Sequence, residues 1–203
     1  MKRDEIVVIS SGQRKAGNVM NVSTVPAQGC PKGIPCATGG CYALKAYRLY
    51  PDRHKGWDRN ERIATSNPDA YFLQIAERVA KNKPRLFRWH VAGDILSADY
   101  LRGMCRIAEN NPNTLFLAFT KAYSIVNKYE GSGRQIPNNL SVIFSSWPGM
   151  KFANPHGHRV AWMQDGTETR VPEDAIWCSG NCETCGLCYD LPKVGRDVVI
   201  SKY

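Results

Sequence analysis

The sequence predicts an α/β fold in which helices flank a parallel β-sheet. Between residues 85 and 146 the chain alternates strand, helix, strand, helix and strand, which is typical of right-handed βαβ units. No internal repeat and no linker divides the 203 residues, a length that suits one domain. We therefore expect residues 1–203 to form a single α/β domain.

The individual elements follow from apolar periodicity and from helix caps. In chain order we expect strands at 5–9 and 19–24, a loop at 25–40, helices at 41–50 and 52–65, a helix from 68, a strand at 85–91, a helix after 97, a strand at 114–120, a helix at 121–129, and strands at 140–146, 159–163 and 197–201. Asn67 and Ser97 are the candidate caps of the two helices that follow them. Cys105 lies on the apolar face of the second of these helices, so we expect it in the core.

Composition and charge limit the class of protein. The chain is 43% hydrophobic and 22% charged, and its net charge of +9 indicates either an anionic partner such as nucleic acid or simply a basic surface. No apolar stretch approaches the length of a membrane span, and the N-terminal apolar run is too short for a signal peptide. We expect a cytoplasmic protein without membrane contact.

A cysteine-rich loop at residues 178–188 predicts a metal site. In a reducing compartment, closely spaced cysteines more often bind metal than form disulfides. The loop has the spacing C-x3-C-x2-C-x2-C, formed by Cys178, Cys182, Cys185 and Cys188. Four thiolates are a complete ligand set for a 4Fe–4S cluster or for tetrahedral zinc. The tight spacing favours the cluster, with zinc as the main alternative and no metal as a third.

A second cysteine-rich loop spans residues 25–41 and carries Cys30, Cys36 and Cys41 with the spacing C-x5-C-x4-C. Three thiolates leave one metal position open, which fits a cluster with an accessible iron or a site completed by a distant residue. Two alternatives stay open: that one or two of these cysteines are buried thiols, and that both loops contribute to one site.

Polar residues follow three successive strands of the predicted sheet. Gly93 and Asp94 come after the first, Lys121 after the second, and two serines at 145–146 close the third. Ligands of parallel α/β proteins bind at this carboxyl edge of the sheet. Gly93 would allow close approach of a ligand to the backbone, and Asp94 could accept hydrogen bonds from an amine or a ribose. An ordinary strand–helix turn explains the same residues.

Residues 45–62 form a basic region that is a candidate surface for DNA or RNA. It combines six cations with three aromatic residues: Lys45, Arg48, Arg53, Lys55, Arg59, Arg62, Tyr47, Tyr50 and Trp57. Basic residues interleaved with aromatic rings suit phosphate contact and base stacking. A solvated amphipathic helix pair is the alternative interpretation.

Four segments of the chain resemble the phage and plasmid proteins called gene product eighty-eight. These are CPKGIPCATGGCYA from Cys30, RWHVAGD from Arg88, AFTKAY from Ala118 and CETCGLCYD from Cys182. The resemblance implies a phage-encoded protein acting in the bacterial host cytoplasm.

The chain is more distantly similar to radical S-adenosylmethionine (SAM) enzymes. That resemblance implies a partial TIM barrel, a 4Fe–4S cluster on Cys30, Cys36 and Cys41, and a SAM amino group at the turn that contains Gly93 and Asp94. The cysteine spacing in that family is C-x3-C-x2-C, which differs from the spacing found here.

Three hypotheses for function result. The first is an iron–sulfur protein of phage type with a radical-SAM-like fold, a structural or redox-active cluster and possible nucleic-acid binding. The second is an active radical SAM enzyme with one or two clusters and SAM as cofactor. The third is a zinc-stabilised nucleic-acid-binding module.

Overall fold

A computed structural model describes residues 3–11, 17–27 and 30–202 of the chain. In that part of the chain eight strands form one sheet in the order β1-β2-β3-β4-β5-β6-β8-β7. The strands are β1 (Ile9–Ser10), β2 (Met20–Val22), β3 (Leu86–Trp89), β4 (Leu115–Thr120), β5 (Leu140–Ser146), β6 (Val160–Gln164), β7 (Ile176–Trp177) and β8 (Val198–Ser201).

The helices lie between these strands. They are α1 (Pro35–Gly39), α2 (Tyr42–Leu49), α3 (Pro51–Ser66), α4 (Pro68–Asn82), α5 (Ala98–Glu109), α6 (Tyr123–Gly131), α7 (Cys182–Cys185) and α8 (Leu191–Val194), with single 3₁₀ turns at Arg3–Glu5 and Leu187–Tyr189.

The sheet is mostly parallel, which confirms the predicted α/β class. From β2 to β6 each strand pairs in parallel with the next strand along the chain, and β8 pairs in parallel with both β6 and β7. Only β1 runs antiparallel to its neighbour. This order brings the carboxyl ends of β2 to β5 to one edge of the sheet.

The pleat of the central strands separates two apolar cores. Phe87 and Trp89 of β3 join the larger core, together with helices α4 and α5, whereas Leu86 joins a smaller one. Leu117 of β4 and Ile143 of β5 complete the smaller core, and three cysteines of the 178–188 loop pack against it. The 178–188 loop therefore covers the sheet face opposite the main helical core.

Both predicted helix caps are confirmed. The Asn67 side chain accepts a hydrogen bond from Ala70 N at 3.1 Å, and the Ser97 hydroxyl accepts one from Tyr100 N at 3.0 Å. Cys105 is 2% exposed in the main core, as expected. The described helices include none that is long and apolar enough to cross a membrane.

The strand prediction at 5–9 is wrong except at Ile9. The amide N–H groups of Val7 and Val8 donate instead to side chains of the helical layer, Gln74 Oε1 at 2.9 Å and Asn60 Oδ1 at 2.7 Å. Asn60 also donates to Val8 O and Ser23 O, so it ties this segment to the end of β2. Side-chain partners thus replace a strand ladder that the β-branched sequence favours.

The loop predicted at 25–40 contains the short helix α1, and β7 and α8 were not predicted. These elements have two to five residues, too few for a periodic pattern to identify them.

The ion pair of Glu168 and Arg170 generates a pH-dependent prediction. Arg170 Nε lies 2.7 Å from Glu168 Oε1, and the Glu168 side chain is 1% exposed. The Arg170 hydrogen bonds lower the pKa of Glu168 below its usual 4.5, although burial opposes this. The pair therefore contributes stability fully above pH 4.5, and the contribution disappears as pH falls through the folded-state pKa.

We expect Glu168→Gln to lower the free energy of unfolding at pH 7 by about 1–3 kcal/mol, because a charged hydrogen bond is lost from a buried position. Urea denaturation as a function of pH measures the difference, which should shrink below pH 4.5. The exposed Glu173→Gln is the matched control. A difference in the free energy of unfolding that stays constant down to acid pH would contradict a stabilising role of the Glu168–Arg170 ion pair.

Candidate metal centres

The C-terminal cysteine loop is shaped by two turns of helix and a left-handed glycine. Asn181 caps α7 by accepting hydrogen bonds from Glu183 N at 3.0 Å and Thr184 N at 3.3 Å. Gly186 then reverses the chain with φ 64°, a conformation that costs glycine little. The following 3₁₀ turn brings Cys188 back towards the cysteines of α7.

The four predicted C-terminal ligands, Cys178, Cys182, Cys185 and Cys188, all line one cavity of about 20 Å³. Cys185 is the exposed member, and Trp177 beside the cavity is 61% exposed. Burial, with a smaller contribution from the neighbouring cysteines, raises the pKa of Cys188 to about 12. The pKa of Cys182 is raised by burial as well, so a nearby cation would favour the thiolate forms of these two residues.

A cation lies directly beside this loop. Arg88 of β3 places Nη1 3.9 Å from Cys182 Sγ, and its guanidinium carbon is 5.1 Å from the centre of the Phe119 ring. Its Nε atom is buried without a hydrogen-bond partner. None of the ion pairs among the described residues gives Arg88 a carboxylate partner. A partly buried cation without a counter-ion is costly, so this position favours an anionic neighbour.

The N-terminal cysteines line a different and larger cavity, of about 160 Å³. Six of the predicted site residues meet there: Cys30, Cys36, Cys41, Gly93, Asp94 and Lys121. The two cysteine groups therefore face separate cavities. Among the residues that the structure describes, no group of three or more His, Cys, Asp or Glu side chains is arranged to hold a metal ion.

Short helices position the N-terminal thiols. Cys36 lies in α1, and Cys41 is the residue that precedes α2. The Tyr42 hydroxyl donates to Val91 O at 2.5 Å, which fixes the start of α2 against the end of β3. Burial raises the pKa of Cys30 to about 12, with Asp94 adding to the effect.

Asp94 joins the ends of β3 and β4. Its Oδ1 accepts from Ile95 N at 2.7 Å and from the Thr120 hydroxyl at 2.5 Å, and its Oδ2 accepts from Lys121 N at 2.8 Å. Burial raises the pKa of Asp94, whereas these hydrogen bonds oppose the increase. The carboxylate is thus largely engaged within the chain, which gives it a structural role in addition to its place in the cavity wall.

Gly93 also has a packing reason to be glycine. It has φ 83°, and a Cβ atom there would lie 1.9 Å from Thr24 Oγ1. This close approach allows Thr24 N to donate to Ala92 O at 3.0 Å, which joins the end of β2 to the turn after β3.

The cavity wall is rich in cations. Lys121, Arg88 and Lys202 line it together with a single acid, Asp94. Lys121 Nζ donates to Ser145 Oγ at 2.8 Å, and Lys202 lies 3.7 Å from Asp165 outside the cavity. The net positive wall favours an anionic occupant.

His90 is a cavity residue that the sequence analysis did not assign. It is 4% exposed, has φ 54° and follows β3 directly. Its Nε2 lies 3.0 Å from the Tyr100 hydroxyl, which lies 2.8 Å from the Tyr71 hydroxyl. Burial lowers the pKa of His90 to about 3, so the ring is neutral near pH 7. A positive φ at a non-glycine residue signals strain, but no sequence pattern reveals it.

Fewer aromatic rings of the basic region at 45–62 are exposed for base stacking than predicted. Trp57 is 6% exposed, and Tyr47 stacks on it and donates to Asp58 Oδ1 at 2.6 Å. Tyr50 is 51% exposed, with the Arg53 guanidinium 4.7 Å from its ring centre. Five of the six predicted cations are exposed and Arg59 is half-buried; the exposed ones are Lys45, Arg48, Arg53, Lys55 and Arg62.

Comparisons with known proteins identify the family. A family model described as Gene product 88 matches residues 9–191, which include both cysteine loops. The chain belongs to the Gene product 88 family. This confirms the resemblance to the phage proteins that the cysteine motifs indicated.

Two relatives of this Gene product 88 family member come from mycobacteriophages. The Gene 88 protein of Mycobacterium phage L5 is 30% identical over 138 residues, covering 59% of this chain and 56% of the relative. The Gene 88 protein of Mycobacterium phage D29 is 29% identical over 128 residues, covering 53% and 52%. The chain thus spans about half the length of these curated relatives. No solved structure matches the chain.

The three hydrogen bonds to Asp94 generate a prediction about stability. Asp94→Asn removes one acceptor oxygen and opposes an amide NH₂ group to the Lys121 N–H donor. We expect the free energy of unfolding to fall by about 2–4 kcal/mol, measured by urea denaturation. Asp99→Asn is the control, because Asp99 is exposed and its ion-pair partner among the described residues is the surface Arg102. Equal effects of the two substitutions would contradict the structural role of Asp94.

Proposed function

We propose that this chain is an iron–sulfur protein of phage type whose C-terminal loop binds a 4Fe–4S cluster through Cys178, Cys182, Cys185 and Cys188. The observation that carries the proposal is the convergence of these four thiols on one cavity beside the unpaired guanidinium of Arg88. When bound, such a cluster supplies one-electron transfer or a rigid cross-link of the loop.

The charge of the site supports this donor set. A 4Fe–4S cluster with four thiolate ligands is anionic, and Arg88 offers a positive charge 3.9 Å from Cys182 Sγ. The cation that is costly in isolation then becomes the counter-ion of the cluster. The same loop buries Tyr189 and Leu191 in the smaller core, so ligand binding and packing reinforce one another.

The spacing of the four cysteines along the chain, C-x3-C-x2-C-x2-C, favours a cluster over a single zinc ion. Tetrahedral zinc with Zn–S bonds of about 2.3 Å holds neighbouring sulfurs only about 3.8 Å apart. A cubane cluster binds each cysteine to a different iron atom, so its four sulfur ligands lie farther apart than those of a single zinc ion.

The N-terminal cavity is the candidate for a second cluster. Cys30, Cys36 and Cys41 would hold it and leave one position open towards Gly93, Asp94 and Lys121. The sequential parallel order of β2 to β6 supports a partial TIM-barrel-like arrangement around this cavity. A wall with three cations and one acid suits an anionic metal–thiolate group.

An active radical SAM enzyme is the second candidate, favoured by the room of about 160 Å³ beside three thiols. Incubation of the reduced, iron-loaded protein with SAM separates the two proposals. Reductive cleavage of SAM would establish the enzyme, whereas intact SAM under strongly reducing conditions would leave the cluster with a structural or electron-transfer role.

Nucleic-acid binding through the region 45–62 is an additional proposal. Its support is the exposed cations of α2 and α3 around the exposed ring of Tyr50. Because Tyr47 and Trp57 pack inside, binding there would depend mainly on phosphate contacts and little on base stacking.

Metal content tests the main proposal. In protein purified without oxygen we expect about four irons and four sulfides per chain for one cluster, or about eight of each for two. Cys185→Ser and Cys188→Ser should lose the C-terminal cluster and much of the stability, because metal binding and folding are coupled. Cys105→Ala, which alters a buried cysteine outside both cavities, should keep full iron content. Zinc in a colourless wild-type protein, or no metal, would refute the iron–sulfur proposal.

Charge reversal tests the nucleic-acid proposal. We expect Lys45→Glu combined with Arg48→Glu to weaken binding of DNA or RNA and to reduce its salt dependence by about two units of slope. Fluorescence anisotropy over a salt series measures both quantities. Arg78→Glu changes an equally exposed cation on α4 and should leave binding unchanged. Equal losses in the two proteins, or no binding by the parent, would rule out this surface.

A further inference from the structure

Arg88 occupies a position between the two cysteine sites that neither cavity alone explains. It contacts Cys182 of the C-terminal loop at 3.9 Å, and it also lines the cavity that contains the N-terminal cysteines. Its strand, β3, lies in the middle of the sheet between β2 and β4. The guanidinium is therefore within reach of both candidate metal groups.

We propose that Arg88 couples the two sites, so that the charge on the metal group in one site sets the reduction potential of the other. This inference rests on the proposed function, because it concerns the regulation of the same two sites.

The surroundings of Arg88 leave its charge available to both sites. Its guanidinium lies over the Phe119 ring, and Nε has no hydrogen-bond partner. The other cation near the C-terminal loop, Arg85, donates to the backbone oxygen of Glu183 at 3.0 Å and is exposed. Because water screens the exposed Arg85 more than the partly buried Arg88, the field of Arg88 at the sulfurs is the stronger.

The fork of the guanidinium provides the coupling element. Arginine has five N–H donors in one rigid plane, but that plane has one orientation at a time. A negative group in the N-terminal cavity attracts the fork and weakens its hydrogen bond to Cys182. An empty N-terminal cavity leaves the fork with Cys182, so the positive charge acts fully on the C-terminal cluster.

The redox step involves a single electron and no bond to Arg88. With a 4Fe–4S cluster bound, reduction by a low-potential one-electron donor would add one negative charge beside Arg88. Arg88 would stabilise that charge by attraction and by its N–H donor and so would raise the reduction potential.

The first experiment measures the potential of the C-terminal cluster by redox titration monitored with electron paramagnetic resonance. Arg88→Gln should make reduction about tenfold less favourable, which is 59 mV for one electron. Arg88→Lys keeps the charge and should retain most of the potential. Arg85→Gln removes a charge beside the same loop without an N–H···S contact and should shift the equilibrium less than about threefold.

The second experiment measures the coupling with a double-mutant cycle. Cys36→Ser with Cys41→Ser empties the N-terminal site in the full chain and should raise the potential of the C-terminal cluster. The same pair of substitutions combined with Arg88→Gln should produce no such shift. Iron content is measured in every variant, so that loss of a cluster is not mistaken for a change in potential.

The outcomes separate the inference from the function on which it rests. The coupling would be overturned if Cys36→Ser with Cys41→Ser shifted the reduction potential of the C-terminal cluster equally with and without Arg88. An unchanged reduction potential in Arg88→Gln would also overturn it. Both results count only in variants that still bind iron. A wild-type protein without iron would overturn the proposed function and the coupling together.

Discussion

The contact between Arg88 and Cys182 is the interaction on which the proposed cluster site depends. The pleat of β3 places Phe87 and Trp89 in the main core and turns Arg88 to the opposite face, beneath the C-terminal cysteine loop. An apolar residue would satisfy that position with less cost, since the guanidinium lacks a carboxylate partner and its Nε is unbonded. The positive charge of Arg88 would be stabilised at this position if the neighbouring thiols were ligands of an anionic cluster.

The parallel sheet places the second site. Successive parallel strands from β2 onward bring their carboxyl ends to one edge, where Asp94 joins β3 to β4 by three hydrogen bonds. Gly93 allows the end of β2 to approach the same turn closely. The cysteines of the loop after β2 are held over this edge, so the cavity results from the strand order and from the short connections at the strand ends.

Local patterns predicted the long elements, and tertiary contacts decided the rest. The caps at Asn67 and Ser97 and the strand Leu140–Ser146 were predictable because they depend on adjacent residues. The segment at Val7 and Val8 was not, because its partners lie more than 50 residues away in α3 and α4. In the site, the residues selected by cysteine spacing and strand-end polarity lie in the walls of the two cavities, and their roles as ligands stay a prediction. Arg88 and His90 were missed because their roles follow from burial and from distant neighbours.

X-ray absorption at the iron and zinc edges, on wild-type protein purified without oxygen, tests the central claim most directly. We expect iron coordinated by sulfur, with a short iron–iron distance that arises only within a cluster. A zinc edge with four sulfur neighbours and no second metal, or the absence of both metals, would contradict it.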